Sequence, residues 1–479
     1  MENFWDSSVW GTFILFATIF GSLLFANVLK KSIKFLNESL IPTSVLAGLV
    51  LLIIAEIYKA ITGELFFNTG LFGGNGMATL EIITYHCLAL GFIASAFKTT
   101  KNKMNKKRTE EIFDSGVTTV STYLIQAIFG IGITIIASFV IFGFPSYAGV
   151  LLPFGYGQGT GQALNYGNIY ETEYGFVGGR SFGLTIAAFG FLSASIGGVI
   201  HLNIMKKKGK IKISKHSEEV LNPDDIQNKG EIPMQESVDK ITIQVCFVAV
   251  AYFVTYLMMY GLGELLPGMK STIYGFNFLL GVISATLIKI TLNFFKNKKI
   301  IKKQYTNNFL MTRVSNFFFD IMVVAGIAAI NLGALQNYWG VIIIIGVAGL
   351  LVTYLYNRIV AKTLFKEYQE EQFLAMYGML TGTASTGVIL LREIDEDFKT
   401  PAQDNLIYQT FPAIVFGFPM MLLATFAPKE PYWALAIFVA FFTVMNIILF
   451  RRKIFKRRKK NAKSEEAKEE VTTKEEKSE

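Results

Sequence analysis

Long apolar runs separated by short polar stretches organise this chain. A helix that crosses a bilayer needs about 20 mostly apolar residues. Eleven runs meet that need: 10–29, 39–58, 79–97, 116–143, 178–204, 240–265, 273–294, 313–333, 339–360, 406–427 and 432–450. Two further apolar stretches, 149–165 and 373–391, are rich in Gly and Thr and interrupted by polar side chains. Non-helical backbone at membrane depth is tolerated only inside the protein or along a cavity, so these two are expected as re-entrant hairpins or broken helices. The pattern predicts an all-α polytopic membrane protein. Segment 205–239 reads as a cytoplasmic linker between two halves and 451–479 as a charged tail.

Composition agrees with the pattern. Of the 479 residues, 52% are hydrophobic and 17% charged. A soluble domain has too little core for so many apolar side chains, which excludes an ordinary cytosolic enzyme as well as a disordered or fibrous protein. The net charge of +9 resolves by loop. With the spans alternating and both hairpins returning to the side they left, 37 of the 45 Lys and Arg lie on one side and only Lys59, Lys270 and Lys429 on the other. That bias predicts an inner or plasma membrane protein, N-terminus outside and C-terminus in the cytoplasm. Glu2 and Asp6 stand where a signal peptide carries basic residues, so the first run is expected to stay as a span. Orientation alone accounts for the basic cluster 451–460, and the rest of the tail is expected to be solvated and disordered; no nucleic-acid partner is expected. Cys87 and Cys246 lie in apolar segments and read as small buried hydrophobes.

The short segments are copies of one another. Tyr156-Gly157-Gln158-Gly159-Thr160-Gly161-Gln162-Ala163 and Tyr377-Gly378-Met379-Leu380-Thr381-Gly382-Thr383-Ala384 share Tyr-Gly-x-x-Thr-Gly-x-Ala. Each follows four spans and precedes an acidic stretch and another span. The chain therefore divides into units 10–204 and 240–427, each a five-span repeat with its hairpin, plus an extra helix at 432–450. An odd number of spans per unit inverts the second against the first, an architecture of secondary transporters whose sites lie between the repeats. The two tips are expected to meet near the centre of the bilayer.

Such tips free backbone groups that lipid cannot satisfy. Freed carbonyls and hydroxyls suit Na⁺, and N–H groups at half-helix N-termini suit a carboxylate. The cation candidates are Gly157, Gln158, Thr381, Gly382 and Asp320. The cargo candidates are Gly159, Thr160, Gly161, Gln162, Asn165, Thr383, Ser385, Thr386 and Arg180. Asp320 lies inside the eighth span, where a carboxylate is costly and functional by default; it can coordinate Na⁺ or pair with Arg313. Arg180 has two readings, a bidentate partner for a substrate carboxylate or a surface partner for Glu171 or Glu173. His86 is open between a proton relay and a hydrogen-bonded packing residue. Glu81, near a span end, is expected to reach water.

The hairpin run 157–163, with Tyr174-Gly175-Phe176, Ala188-Phe189-Gly190, Gly197-Gly198, Ile41-Pro42-Thr43-Ser44-Val45-Leu46-Ala47-Gly48 and Gly281-Val282-Ile283-Ser284, resembles the bacterial sodium/glutamate symporter family. The resemblance covers most of 10–427. It departs at Gln158, where the family often has His, at the second hairpin, which is less Gly-rich, and in the extra helix and tail. The resemblance implies Na⁺-coupled uptake of glutamate, inverted repeats, a homodimer and an elevator-like movement. A di- or tricarboxylate such as malate or citrate is the alternative cargo. The hairpins also fit a channel, but the resemblance favours a carrier. An intramembrane enzyme is not expected, because the chain has no H-E-x-x-H motif and only His86 and His201 lie near the membrane.

Overall fold

Helix is the only regular structure that lets an isolated apolar segment satisfy its own backbone in lipid. A computed structural model describes residues 3–98, 105–211, 226–227, 231–234, 237–396 and 398–475. Among these it holds no strand beyond one isolated bridge between Glu231 and Gln304. The first half comprises α1 (Ser7–Ser32), α2 (Lys34–Glu38), α3 (Thr43–Thr62), α4 (Gly76–Ala96), α5 (Lys106–Val140), α6 (Leu151–Tyr174) and α7 (Gly179–Lys207). The second comprises α8 (Lys240–Leu265), α9 (Lys270–Gly275), α10 (Asn277–Asn297), α11 (Asn308–Ala328), α12 (Trp339–Leu364), α13 (Gln369–Thr381), α14 (Ala384–Arg392), α15 (Ala402–Tyr408), α16 (Thr410–Phe426) and α17 (Pro431–Glu475).

Among the described residues ten helices are long and apolar enough to cross a membrane, and α15 with α16, bent by 48°, makes eleven when the bent pair is taken as one span. The eleven coincide with the eleven apolar runs. The bend has a local cause. Pro412 has no N–H for the Tyr408 carbonyl and its ring crowds that carbonyl, so the helix breaks one turn earlier.

Both Gly/Thr-rich segments are hairpins. In α6, Gly159 takes φ 77° and ψ −171°, which no helix allows. The Phe154 and Tyr166 rings stack at 3.8 Å across the break; in a continuous helix they would lie about 18 Å apart. The returning arm reaches Tyr174, further than the expected end at 165, because its tyrosines are anchored. Tyr166, Tyr170 and Tyr174 donate to the carbonyls of Met421, Ala424 and Thr425 at 3.0, 2.7 and 3.3 Å. The last two carbonyls belong to the final turn of α16, which has no helical partner for them. The second hairpin starts at Gln369, before the expected 373, and pairs α13 with α14. A β-carbon on Gly378 would lie 2.8 Å from Gly387 Cα, so glycine permits the arms to touch.

Two expectations change at the edges. The tail does not break after the span: α17 continues to Glu475, in keeping with a Lys-, Glu- and Ala-rich sequence of good helix formers. Arg451 at its base donates to Asp114 at 2.7 Å. The linker, partly outside the described residues, is pinned at its end. Glu231 is buried and accepts from Lys240 Nζ at 2.8 Å and Asn307 Nδ2 at 2.7 Å.

Candidate functional site

The repeated motif places its two tyrosines on one residue. Tyr156 hydrogen-bonds Ser193 Oγ at 2.9 Å and donates to Gly346 O at 2.5 Å, and Tyr377 donates to Ser193 O at 2.7 Å. Ser193 on α7 thus holds the entering arms of both hairpins. The breaks then meet. A β-carbon on Gly159 would lie 3.7 Å from Thr383 Cγ2 and 3.8 Å from Gly382 O.

A cavity of about 160 Å³ opens beside the junction. The first tip contributes Gly157 and Gln158, and the second Gly382, Thr383 and Ala384. Ser95, Thr119, Tyr123, Gln409 and Thr410 add polar atoms, and Phe92, Phe278, Phe319 and four methionine or leucine positions on α4, α10, α11 and α16 give it apolar walls. None of its lining residues is charged. Tyr123 donates to Gly157 O at 3.0 Å, and Thr119 to Gln409 Oε1 at 2.8 Å. Thr383 is the N-cap of α14, accepting from Thr386 N at 3.4 Å.

A second cavity of about 670 Å³ lies across the wall made by Phe319 and Thr383, which line both. It is charged. Asp320 faces it with Ser44, Asn316, Ser385 and Lys30. Lys30 Nζ donates to Ile41 O at 2.6 Å. Asp320 does not pair with Arg313, whose guanidinium lies over the Phe309 ring at 4.9 Å.

The structure therefore brings Gly157, Gln158, Gly382 and Thr383 to one cavity and Asp320 and Ser385 to the other, with Gly159 at the junction. Other candidates are packed. Thr160 donates to Met322 O at 3.3 Å, Thr381 to Tyr377 O at 2.6 Å, and Asn165 to Gly275 O at 3.2 Å. Thr386 meets Thr383 Oγ1 at 3.3 Å, and Gly161 packs on Leu88. Gln162 is 1% exposed and neither its nitrogen nor its oxygen has a partner among the described residues. Arg180 lines neither cavity. It donates to Glu81 at 2.9 Å and lies 3.9 Å from Glu171, so its nearest carboxylate is one that the sequence did not offer as its partner. His86 packs by a 2.6 Å hydrogen bond to Tyr252.

One charged group went unread in the sequence. At the base of the second hairpin, Glu370 accepts two bonds from Arg358, at 2.6 and 2.7 Å, and one from His201 Nε2 at 3.0 Å. His201 Nδ1 lies 2.8 Å from the Tyr354 hydroxyl, so both ring nitrogens have partners. Burial alone would raise the Glu370 carboxyl, but the bonds from His201 and Arg358 outweigh it and hold it at about 2. Residues 12 and 169 positions apart in sequence make this cluster, and no local motif announces it. Polar residues inside an apolar span, such as Thr119 and Tyr123, are the signal in the sequence for the lining that it did not otherwise announce.

No family model matches the chain, and no curated protein matches it.

Proposed function

We propose that this multi-pass membrane protein is a secondary carrier that takes up a small anionic amino acid, with glutamate the first candidate, together with Na⁺. The observation that carries this reading is the uncharged cavity where the two broken hairpins meet. A cavity of about 150 Å³ accepts a molecule the size of benzene, so the space at the tips suits a small solute. An anion entering it finds hydroxyls, amides and freed backbone groups but no Lys or Arg among the lining side chains. Its charge is then balanced most simply by a cation that enters with it, which is the requirement of symport. Binding of each stabilises the same closed arrangement, so neither crosses alone.

The charge bias of the loops supports an N-terminus outside and a C-terminus in the cytoplasm. The resemblance of the hairpin motif supports inverted repeats, a homodimer and movement of the hairpin-bearing part as an elevator. The same cavity chemistry admits a di- or tricarboxylate, and competition decides between the two. Proteoliposomes under an inward Na⁺ gradient should accumulate labelled glutamate, and unlabelled malate and citrate should compete weakly. Accumulation that persists unchanged without Na⁺ would sink the coupling. Strong competition by malate or citrate with no glutamate uptake would replace the cargo.

A further inference from the structure

A group of buried polar side chains lies outside both cavities, in the seam between α5 and α12. Thr122 and Gln126 stand one turn apart on α5, opposite Asn357 and Thr353 on α12. Gln126 Nε2 donates to Thr353 Oγ1 at 2.8 Å and to Leu380 O at 3.0 Å. Asn357 Nδ2 donates to Thr353 O at 3.0 Å and to Thr122 Oγ1 at 3.3 Å. A backbone carbonyl only accepts, so Leu380 O and Thr353 O fix which end of each amide faces them. The two amide oxygens, Gln126 Oε1 and Asn357 Oδ1, are therefore left over, and both are buried without a partner among the described residues. Gln126 is 0% and Asn357 2% exposed.

The surroundings favour positive charge. Leu380 is in the last turn of α13, whose carbonyl end carries the negative pole of the helix. Of the acids near in sequence, Asp114 is held by Arg451, Glu367 by Lys107, and Glu370 by Arg358 and His201. Hard cations take oxygen ligands, and a monovalent one is matched by neutral amides, hydroxyls and carbonyls.

We propose that Gln126 and Asn357 bind Na⁺ through their amide oxygens, with Thr122 and Thr353 beside them. The proposal rests on the carrier reading for its role, and it adds a route for coupling. The ion fixes the Gln126 amide, the amide fixes Leu380, and Leu380 precedes the Gly382–Thr383 break that walls the cargo cavity. Na⁺ in the seam thus stabilises the tip against which cargo binds.

Thermal unfolding of the full chain in detergent, with NaCl exchanged for choline chloride at constant ionic strength, tests the site. The wild type is expected to show saturable stabilisation by Na⁺. Gln126→Ala and Asn357→Ala should raise the Na⁺ midpoint about tenfold or more, the scale of a lost contact to a charged partner. Should either fail to fold, Gln126→Glu and Asn357→Asp keep the oxygens, add charge, and should lower the midpoint. No Na⁺ response in the wild type, or a midpoint unmoved by every folded variant, overturns the site and leaves the oxygens to a buried water. Shifted midpoints in a protein that accumulates no acid would keep the site and reject the carrier. Na⁺-driven uptake with unmoved midpoints would do the reverse.

Discussion

Replacing Gly159 with alanine separates backbone strain from crowding at the junction of the hairpins. Gly159 has φ 77° and ψ −171°, a region essentially closed to residues with a β-carbon. Space is not the obstacle. The added methyl would meet Thr383 Cγ2 at 3.7 Å, Gly382 O at 3.8 Å and Met322 Cε at 3.9 Å, all ordinary contacts. The cost is then conformational, about 1–3 kcal/mol, which lowers the population of the intact tip about 5- to 150-fold relative to relaxed alternatives. Uptake in proteoliposomes and thermal unfolding should both fall. Trimming the neighbours should not help, so Thr383→Ser, which removes Cγ2, leaves the Gly159→Ala defect in place. Gly161 provides the contrast. A β-carbon there would lie 2.8 Å from Leu88 Cδ1 and 2.9 Å from Leu88 Cβ, so crowding sets its cost: Leu88→Gly, which removes both atoms, should relieve Gly161→Ala, whereas Leu88→Ala, which keeps Cβ, should relieve it only in part. Wild-type uptake and stability in Gly159→Ala, or rescue by Thr383→Ser, would refute the strain argument.

Glu370→Gln should destabilise the protein by about 3–5 kcal/mol, because it leaves the Arg358 guanidinium buried without a counter-charge; unfolding at the wild-type temperature rejects this. The double change Arg358→Met with Glu370→Leu should recover most of the loss. The same carboxyl sets a pH expectation. It is held at about 2 against an unfolded value near 4.3, so its stabilisation is fully present above the unfolded value and lost as pH falls through about 2. The stability gap between wild type and Glu370→Gln should therefore stay constant from pH 7 to about pH 5, and a gap closing in that range would show that Glu370 is not held low. Asp320→Asn should leave thermal stability nearly unchanged, since the carboxylate faces the larger cavity, but lower Na⁺-driven uptake about tenfold. Uptake at the wild-type rate removes Asp320 from the transport path.

The spans, the hairpins and the meeting of their tips were legible because each depends on local chemistry. Apolar length decides what crosses lipid, and Pro or Gly decides where a helix stops. The breaks fall inside the repeated motif, though not at its matching positions, since Gly159 aligns with Leu380 and Gly382 with Gly161; the motif tyrosines, Tyr156 and Tyr377, share Ser193. Hairpin limits were read short because the anchors of the returning arm lie on α16, about 250 residues away. The sequence also could not choose between two partners for Arg180, since Glu81 lies 99 positions off and becomes a neighbour only in the folded chain. For the same reason Glu370, Gln126 and Asn357 carried no signal of their own. What a residue is made of determined whether its segment enters the membrane. Which oxygen or charge it faces there was decided by helices packed from distant parts of the chain, because inside lipid a polar side chain must find its partner within the protein.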